Sequence, residues 1–363
     1  MNKKYRILDL FSGAGGFSYG LHLNDNFETK IAIDFNKSAT ETFKYNMPDV
    51  EVIHGDITDT DIKNKIISSA KELGVNMIIG GPPCQGFSIQ GKRLGLNDPR
   101  NFLFLEYINL VEQIRPEIFI IENVKNLVYT ADGYFLKEIY NRFQALGYSL
   151  NHKILNASDY GVPQNRERVF IIGVLNNKSI SMDISELAHK TTVRDAISDL
   201  AYLNSAEGNE ISDYITQAES EYQRIMRDNS SSLYNHKATN HKPIAIEKLK
   251  LIPAECDKSY LPKHMLGRQQ HSCTWGRLVW DKQSNTIDTR FDTPAAGKNS
   301  HPYLHRAITP REAARLQSFP DKFRFLGTKT EIGKQIGNAV PPLLAKAIGQ
   351  HILKTLGEIR WLL

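Results

Sequence analysis

Residues 9–17 read Asp9-Leu10-Phe11-Ser12-Gly13-Ala14-Gly15-Gly16-Phe17 and follow a short apolar run that starts near Tyr5. Glycines at such a junction between a strand and a helix let the backbone approach a ligand, and the helix N-terminus favours polar or anionic groups. The stretch is not a complete GxGxxG fingerprint, because Ser18 occupies the last glycine position. A plain tight turn would explain it equally well, so the rest of the chain has to decide its role.

The alternation of strand and helix continues downstream of this turn. Short, continuously apolar runs predict strands covered on both faces, and the amphipathic stretches between them predict helices. The predicted strands are 6–11, 30–34, 51–53, 77–80 and 118–122, and the predicted helices are 17–23, 38–45, 61–73, 101–114 and 134–146. Two further strands, near 150–155 and 168–174, have no helix between them and predict a hairpin. The fold class is therefore α/β, a Rossmann-like, mostly parallel sheet with an antiparallel edge hairpin.

The alternation of predicted strands and helices stops after about residue 176. Residues 176–300 are rich in Ser and Asn and predict a smaller, irregular second domain. Residues 176–234 hold 5 Lys/Arg against 10 Asp/Glu, whereas residues 235–300 hold 11 against 6. If this domain meets a nucleic acid, the later part is therefore the better candidate.

Regular structure returns near the end of the chain. Thr309-Pro310-Arg311-Glu312 is a capping box with Pro at the first helical position, so a helix is predicted to start there. A last helix is predicted from Pro342 to Leu356. We expect a first domain at 1–180, an inserted domain at 181–305, and a segment 306–363 that acts as a hinge and returns to the first domain.

Composition limits the function classes. The chain has 363 residues, 41% of them apolar, which suits a globular protein with two domains. It contains no run of 18 apolar residues and no signal-peptide pattern, so we expect a cytoplasmic protein without a membrane span. Three cysteines without a CxxC pair predict neither a disulfide framework nor a metal site. A net charge of +5 permits a polyanionic partner without requiring one.

Several carboxylates stand at the ends of predicted strands. Asp34 lies nineteen residues after Gly15, where an acid can accept both ribose hydroxyls of a nucleoside cofactor. Asp56, after the third strand, could meet an adenine amino group. Glu122 follows the fifth strand and could act as an acid. Each of these residues could also be a charge at a helix or strand end.

The segment 80–88 reads Gly80-Gly81-Pro82-Pro83-Cys84-Gln85-Gly86-Phe87-Ser88. Two prolines stiffen the backbone just before the cysteine, and ligands bind at this edge of an α/β sheet. Pro-Pro and Gly are poor core material, which argues against a buried structural cysteine. The following stretch to Arg100 contains glycines together with Lys92 and Arg93, and we expect a mobile basic lid.

Two later segments add polar groups. Gln164-Asn165-Arg166-Glu167-Arg168 leads into the last strand, and an antiparallel strand there would bring Gln164, Arg166 and Arg168 to the same cleft. A surface charge run is the alternative. In Gln335-Ile336-Gly337-Asn338-Ala339, Gly337 and Asn338 suit a turn with positive φ.

Taken together, the order and spacing of these segments closely resemble the bacterial cytosine-5 DNA methyltransferase family of the restriction-modification type. The resemblance covers residues 5–175 and 300–350, including Ile308 to Pro320 with Arg311, Glu312 and Arg315. Residues 176–300 stand where that family keeps its variable target-recognition domain. The resemblance implies a DNA (cytosine-5-)-methyltransferase whose first domain binds S-adenosyl-L-methionine.

The resemblance also implies roles for individual residues. The cofactor would lie over Phe11, Gly13 and Gly15, with Asp34 on its ribose and Asp56 on its adenine. The remaining cofactor contacts would be Phe35, Ile57, Pro83 and Asn338. The target cytosine would be flipped out of the duplex, since its C5 and C6 cannot be reached in the stack.

The implied chemistry is covalent. Cys84 thiolate would attack C6 of the cytosine and Glu122 would hydrogen-bond N3, after which C5 takes the methyl group. Arg168 would hold the base oxygen, and Arg166 would support the Cys84 loop. Contacts to double-stranded DNA are expected from the following residues: Gln85, Ser88, Lys92, Arg93, Gln164, Trp275, Arg277 and Arg290. We also expect a monomer that is paired in function with a restriction endonuclease.

Other functions compete with this interpretation. A tRNA cytosine-5 methyltransferase is the alternative within the family, but that branch has a Cys-Phe-Thr signature that this chain lacks. A methyltransferase for exocyclic amines would carry Asp/Asn-Pro-Pro-aromatic in place of the Cys84 motif. A non-catalytic DNA-binding regulator is disfavoured by intact Cys84, Glu122 and Arg168, and an NAD-dependent dehydrogenase by the incomplete GxGxxG.

Overall fold

The computed structural model of the protein describes residues 3–83, 102–176, 180–266 and 274–361. The chain forms two compact units. The first consists of Met1–Asn156, Glu167–Glu186 and Leu344–Leu363, and the second of Ala157–Arg166 and Leu187–Leu343. Compared with the sequence-based division, the structure assigns 157–166 and 306–343 to the second unit.

The first unit is built on a sheet of seven strands within the described residues, in the order β3-β2-β1-β4-β5-β7-β6. The strands are Tyr5–Leu10 (β1), Phe27–Asp34 (β2), Glu51–His54 (β3), Met77–Gly80 (β4), Ile118–Val124 (β5), Tyr148–Asn156 (β6) and Glu167–Leu175 (β7). The first five pair in parallel, and β7 pairs antiparallel with both β5 and β6. The predicted mostly parallel sheet with an antiparallel edge hairpin is confirmed.

Helices lie between these strands along the chain. They are Gly16–His22 (α1), Lys37–Asn46 (α2), Thr60–Glu72 (α3), Phe102–Ile114 (α4), Asn126–Tyr129 (α5) and Tyr134–Ala145 (α6). The Asn36 side chain caps α2 and the Asp59 side chain caps α3 by accepting backbone N–H groups. The central strands are mostly buried, with Ile7, Leu8 and Ile31 at 0% exposure.

The second unit has less regular structure. Its elements are Val193–Ile197 (α7), Gly208–Ser212 (β8), Glu221–Arg227 (α8), Leu233–Lys237 (β9), Pro243–Leu251 (α9), Pro310–Leu316 (α10) and Lys329–Asn338 (α11). The predicted capping box is present, since the Thr309 side chain accepts from Glu312 N and starts α10. The last helix, Pro342–Trp361 (α12), returns the chain to the first unit from Leu344 onward. None of the helices in the described part of the chain is both long and apolar enough to cross a bilayer.

The predicted turn with positive φ at Gly337 and Asn338 is wrong. Both residues form the end of α11, and neither has a positive φ. Glycine is needed at 337 for a different reason, which is close packing against another segment of backbone. A Cβ at Gly337 would lie 2.5 Å from the carbonyl carbon of Asp288 and 2.6 Å from the backbone nitrogen of Thr289.

Helix α10 carries a network of buried ion pairs. The two terminal guanidinium nitrogens of Arg306, Nη1 and Nη2, donate to the Glu312 carboxylate at 2.7 and 2.8 Å, and both side chains are fully buried. Arg315 pairs in the same way with Asp321 and also donates to Asp199. Burial raises the pKa of Glu312, but Arg306 outweighs this effect and lowers it to about 2. Glu312 is therefore ionised and needs its partner.

Replacing Glu312 by Gln should destabilise the protein by roughly 3–5 kcal/mol, because it leaves the Arg306 charge buried without a counter-charge. Gln can still accept the backbone N–H of Thr309, so the helix cap is preserved. Urea unfolding of the variant beside wild type measures the difference. The control is Glu41→Gln, which breaks an exposed pair with Lys37 and should cost at most about 0.5 kcal/mol. Equal stability of the two variants would contradict this prediction.

Three buried histidines of the second unit are held neutral. Burial lowers the pKa of His236 and His241 to about 4 and that of His301 to about 3. Each has a ring nitrogen that is hydrogen-bonded inside the unit: His236 to the Thr309 hydroxyl, His241 to Ala307 N, and His301 to Tyr303 N and Leu304 N. The folded protein therefore binds fewer protons than the unfolded chain below pH 6.5.

These histidines predict a loss of stability on acidification. The stability that they contribute is present above their unfolded pKa of about 6.5 and falls as the pH drops toward 4, because unfolding then takes up three protons. Around pH 5 the three histidines together should contribute roughly 4 kcal/mol per pH unit to the fall in the free energy of unfolding. Urea titrations between pH 7 and 5 test this slope, and His189→Gln, at an exposed position, should not change it. A slope near zero would show that the buried histidines accept protons without cost.

Candidate active site

The carboxyl ends of four parallel strands meet at one edge of the sheet. Leu10 of β1 is level with Ile33 of β2 and with Gly80 of β4, and Gly80 is level with Ile121 of β5. The segments that follow these strands therefore start side by side. This is the edge at which open α/β sheets bind ligands.

The loop after β1 has an unusual backbone. Phe11, Gly13 and Gly15 all have positive φ, at 57°, 54° and 93°. The Asp34 carboxylate accepts the backbone N–H of Gly13 and that of Asn36, both at 2.8 Å. Burial is the main reason why the pKa of Asp34 is raised, and the two backbone hydrogen bonds oppose it. A carboxylate offers about four lone-pair sites, so Asp34 can still accept a hydrogen bond from a ligand hydroxyl.

The other predicted cofactor residues differ in what they expose. The Phe35 ring is 73% exposed and offers a flat apolar surface after β2. Asp56 is exposed, and hydrogen bonds from the Thr58 backbone and hydroxyl lower its pKa. The Ile57 side chain is buried in the core, so Ile57 can offer a ligand its backbone. Pro83 is half-buried, and Asn338 is exposed at the end of α11 in the second unit.

Glu122 and Arg168 lie together on neighbouring antiparallel strands. The register places Val124 opposite Arg168, and Arg168 Nε lies 3.1 Å from Glu122 Oε1. Both side chains are mostly but not fully buried, at 12% and 17% exposure, so a ligand could still reach them. The sequence analysis brings Arg168 to this cleft only if the last strand is antiparallel, and the structure shows that β7 is antiparallel to β5.

The backbone segment that leads to Cys84 packs against the carboxyl end of β5. A Cβ on Gly81 would lie 3.0 Å from Glu122 Oε2, so only glycine allows this approach without a shift. Asn123 Nδ2 donates to the carbonyl of Pro82 at 2.9 Å. The sequence analysis gave Asn123 no role of its own. The sequence feature that could have indicated this role is an amide residue directly after the carboxylate at the end of the strand.

Five predicted residues lie outside the described part of the chain: Cys84, Gln85, Ser88, Lys92 and Arg93. Their roles stay predictions. The described residues 81–83 lead directly to Cys84 and bring the chain to Glu122 and Asn123.

Two predicted residues just before β7 are scaffold residues of the second unit. Gln164 is fully buried, donates to Leu316 O and Gln317 Oε1, and accepts from Ile287 N. The prediction that its side chain contacts DNA does not fit this burial, because no polar surface of it faces solvent. Arg166 is also buried and donates to the carbonyls of Ile287 and Gly337.

Of the three residues in the recognition region that we expect to contact DNA, two are buried and one is exposed. Arg277 is fully buried and donates to the carbonyls of Leu249, Ile252, His301 and Leu304, so the expected DNA contact is replaced by a structural role at the end of α9. Trp275 is also buried, packed with Leu249, Ile252 and Leu261 beneath Lys248. Arg290 is exposed and stays a candidate for DNA contact.

Comparisons with known proteins agree with this architecture. The family model of the C-5 cytosine-specific DNA methylases matches residues 5–354. The Type II methyltransferase M.DdeI of Desulfomicrobium norvegicum is 36% identical over 95% of this chain and 88% of its own. The Type II methyltransferase M1.HphI of Haemophilus parahaemolyticus is 36% identical over 96% and 86%.

Solved structures give the same picture. A prophage-encoded protein of Escherichia coli, described as a candidate DNA modification methyltransferase, superposes with a TM-score of 0.78 at 27% identity, covering 98% of this chain and all of its own. The Dnmt2 methyltransferase of S. pombe shares the fold, with a TM-score of 0.63 at 21% identity over 98% of this chain and 100% of its own. With a family match over nearly its whole length, the chain belongs to the C-5 cytosine-specific DNA methylases.

Proposed function

We propose that this methylase transfers the methyl group of S-adenosyl-L-methionine to C5 of a flipped-out cytosine within a specific double-stranded DNA sequence. We further propose that it protects the DNA of a bacterial cytoplasm from a partner restriction endonuclease. The observation that carries the proposal is the Glu122–Arg168 pair beside the Gly81–Pro83 segment that leads to Cys84. The names of the relatives as Type II methyltransferases support the restriction partner.

The residues after β1 and β2 fit the methyl donor. Gly13 carries no side chain and has open space where a Cβ would lie, so the backbone of the loop can approach a ligand closely there. Asp34 would hold the ribose hydroxyls and the exposed Phe35 ring would cover the adenine. Asp56 would accept from the adenine amino group. When bound, S-adenosylmethionine supplies an electrophilic methyl group.

The reaction then rests on three residues. Cys84 thiolate would form a bond to C6 of the cytosine, and Glu122 would hydrogen-bond N3, so that electron density moves to C5. Arg168 would hold the base oxygen and keep Glu122 oriented through their 3.1 Å contact. After C5 has gained the methyl group, loss of the C5 proton and expulsion of Cys84 restore the ring. A thiol has a pKa near 8.5, so a positive neighbour would raise the reactive thiolate fraction.

Bisulfite sequencing tests this function. Genomic DNA from a methylation-free host that expresses the chain is compared with DNA from the same host carrying an empty vector. We expect protected cytosines at one short recurring sequence, which would also define the recognised site. Absence of protected cytosines, from a folded protein that binds S-adenosylmethionine, would overturn the DNA substrate and make tRNA the next substrate to test.

A further inference from the structure

The chain that leaves β5 carries a half-exposed lysine that the proposed reaction does not use. Lys125 directly follows Val124, the last residue of β5, and its side chain is 48% exposed. At about 3.3 Å per residue, it lies within about 10 Å of Glu122 along the chain. Lys125 is therefore close to the edge of the sheet where we propose that the cytosine binds.

The ammonium group of Lys125 lies beside the next strand. Lys125 Nζ is 2.5 Å from Glu167 Oε2, and Glu167 immediately precedes Arg168 on β7. Arg168 Nη1 in turn donates to the backbone carbonyl of Glu167 at 2.8 Å. The ammonium is thus held one residue away from the arginine that we propose to hold the base oxygen. Since both partners of the Lys125–Glu167 pair are half exposed, the pair is worth little, and Lys125 can exchange Glu167 for another anion.

A tyrosine lies on the same face of the chain as Lys125. The backbone is helical from Lys125 through α5 to Tyr129, so these two residues, four apart, lie one helical turn from each other. Tyr129 is 66% exposed. An ammonium group offers three hydrogen-bond donors and a phenol offers one. Lys125 and Tyr129 together form a surface, named here the β5-exit surface, that offers donors and a positive charge.

The chemistry of this surface fits a phosphate backbone. A flipped cytosine stays joined to its strand through the phosphates on either side of its sugar, and each nucleotide of a strand adds one negative charge. If the base meets Glu122 and Arg168, the backbone of that strand must pass beside them. Phosphate oxygens accept hydrogen bonds from lysine and tyrosine side chains, and the charged contact is the stronger of the two.

We propose that the β5-exit surface binds the sugar–phosphate backbone of the DNA strand next to the flipped cytosine. Lys125 exchanges Glu167 for a phosphate oxygen, and the Tyr129 hydroxyl donates to a phosphate oxygen of the same strand. The inference rests on the proposed function, because it takes the flipped cytosine to lie at Glu122 and Arg168. Phosphate contacts position a duplex without reading its sequence, so this surface adds affinity for any duplex.

Three variants and a matched control test the surface. Lys125→Gln removes the charge, Lys125→Arg keeps it, and Tyr129→Phe removes only the hydroxyl. The control is Lys3→Gln, because Lys3 pairs with Glu117, the residue just before β5, and thus removes the same charge at the opposite end of the same strand. Binding of two labelled duplexes, one with the recognised sequence and one scrambled, is measured by fluorescence anisotropy between 50 and 200 mM salt, and thermal melting shows which variants are folded.

We expect Lys125→Gln to weaken both duplexes by the same factor, about three- to tenfold near 0.1 M salt. The slope of the logarithm of the association constant against the logarithm of the salt concentration should become shallower by about 0.9, the value for one phosphate contact. Lys125→Arg should restore both quantities. Tyr129→Phe should weaken binding by about threefold and leave the slope unchanged, since the hydroxyl carries no charge. Lys3→Gln should change affinity by less than about twofold.

Unchanged affinity in Lys125→Gln, or an equal loss in Lys3→Gln, would overturn the inference, the latter because net charge alone would then explain the effect. A loss confined to the recognised duplex would also overturn it, since a phosphate contact does not distinguish sequences. No effect of Tyr129→Phe would remove Tyr129 from the surface. Failure of wild type to bind either duplex would instead contradict the proposed DNA substrate, and this result is visible before any variant is compared.

Discussion

Replacing Cys84 by serine is expected to lower methyl transfer to DNA by a factor of at least about 10⁴, while binding of S-adenosylmethionine is retained. A serine hydroxyl has nearly the size of the thiol, but it is ionised far less readily and needs an adjacent base to act as a nucleophile. Transfer of a radiolabelled methyl group to a duplex that contains the recognised sequence measures the loss.

The residues that precede Cys84 support this prediction. Gly81 and Pro82, which lead to Cys84, lie against Glu122 and Asn123 at the edge of the sheet where we propose that the substrate binds. Cys256 belongs to the second unit and packs beside its small apolar cluster. Cys256→Ser is therefore the matched control and should retain activity within about twofold. More than about 1% residual activity in Cys84→Ser would rule out a covalent role for Cys84.

Glu122→Gln is expected to lower the rate of methyl transfer by about 10²–10⁴-fold, because the amide removes both the negative charge and the proton that can be shared with N3 of the cytosine. It also removes the ionic partner of Arg168, 3.1 Å away. Single-turnover rates, measured with saturating donor and DNA, isolate the chemical step from binding. The double variant with Arg168→Ala should lose less than the sum of the two single losses, since the residues act together.

The control for Glu122 is a second glutamate, on the neighbouring strand β7. Glu167 precedes Arg168 on β7 and forms an exposed ion pair with Lys125. Glu167→Gln changes the charge of the same region by the same amount and should keep activity within about twofold. Similar losses in the two variants would mean that net charge at the sheet edge matters, and not the position of Glu122.

Much of the fold could be predicted from local pattern alone. Strands β4 and β5 contain continuous apolar runs, and such runs are typical of strands that are buried on both faces in α/β proteins. The start of α10 was equally predictable, because Thr309 and Glu312 satisfy each other within one turn of helix. The placement of Asp34 and Glu122 followed from topology, since the carboxyl ends of parallel strands share one edge.

Other features depended on contacts between segments that are distant in the chain. Arg277 and Gln164 have the chemistry of DNA contacts, yet they bind backbone carbonyls and amides of their own unit. Gly337 is of a residue type that favours turns, yet it lies in a helix, where the absence of a Cβ lets the backbone of 288–289 pack against it. Residue type shows what a side chain can bind, whereas burial decides which partner it meets.

By itself, the sequence therefore determined the α/β architecture, the family and the edge of the sheet where we propose that the chemistry takes place, because these depend on local periodicity and on the order of motifs. Only the tertiary structure decided that Arg168 meets Glu122, that Asp9 is buried against Ser18, and that Arg277 faces inward. Each of these contacts joins elements whose register and packing are set by the whole core, and no local pattern encodes that register.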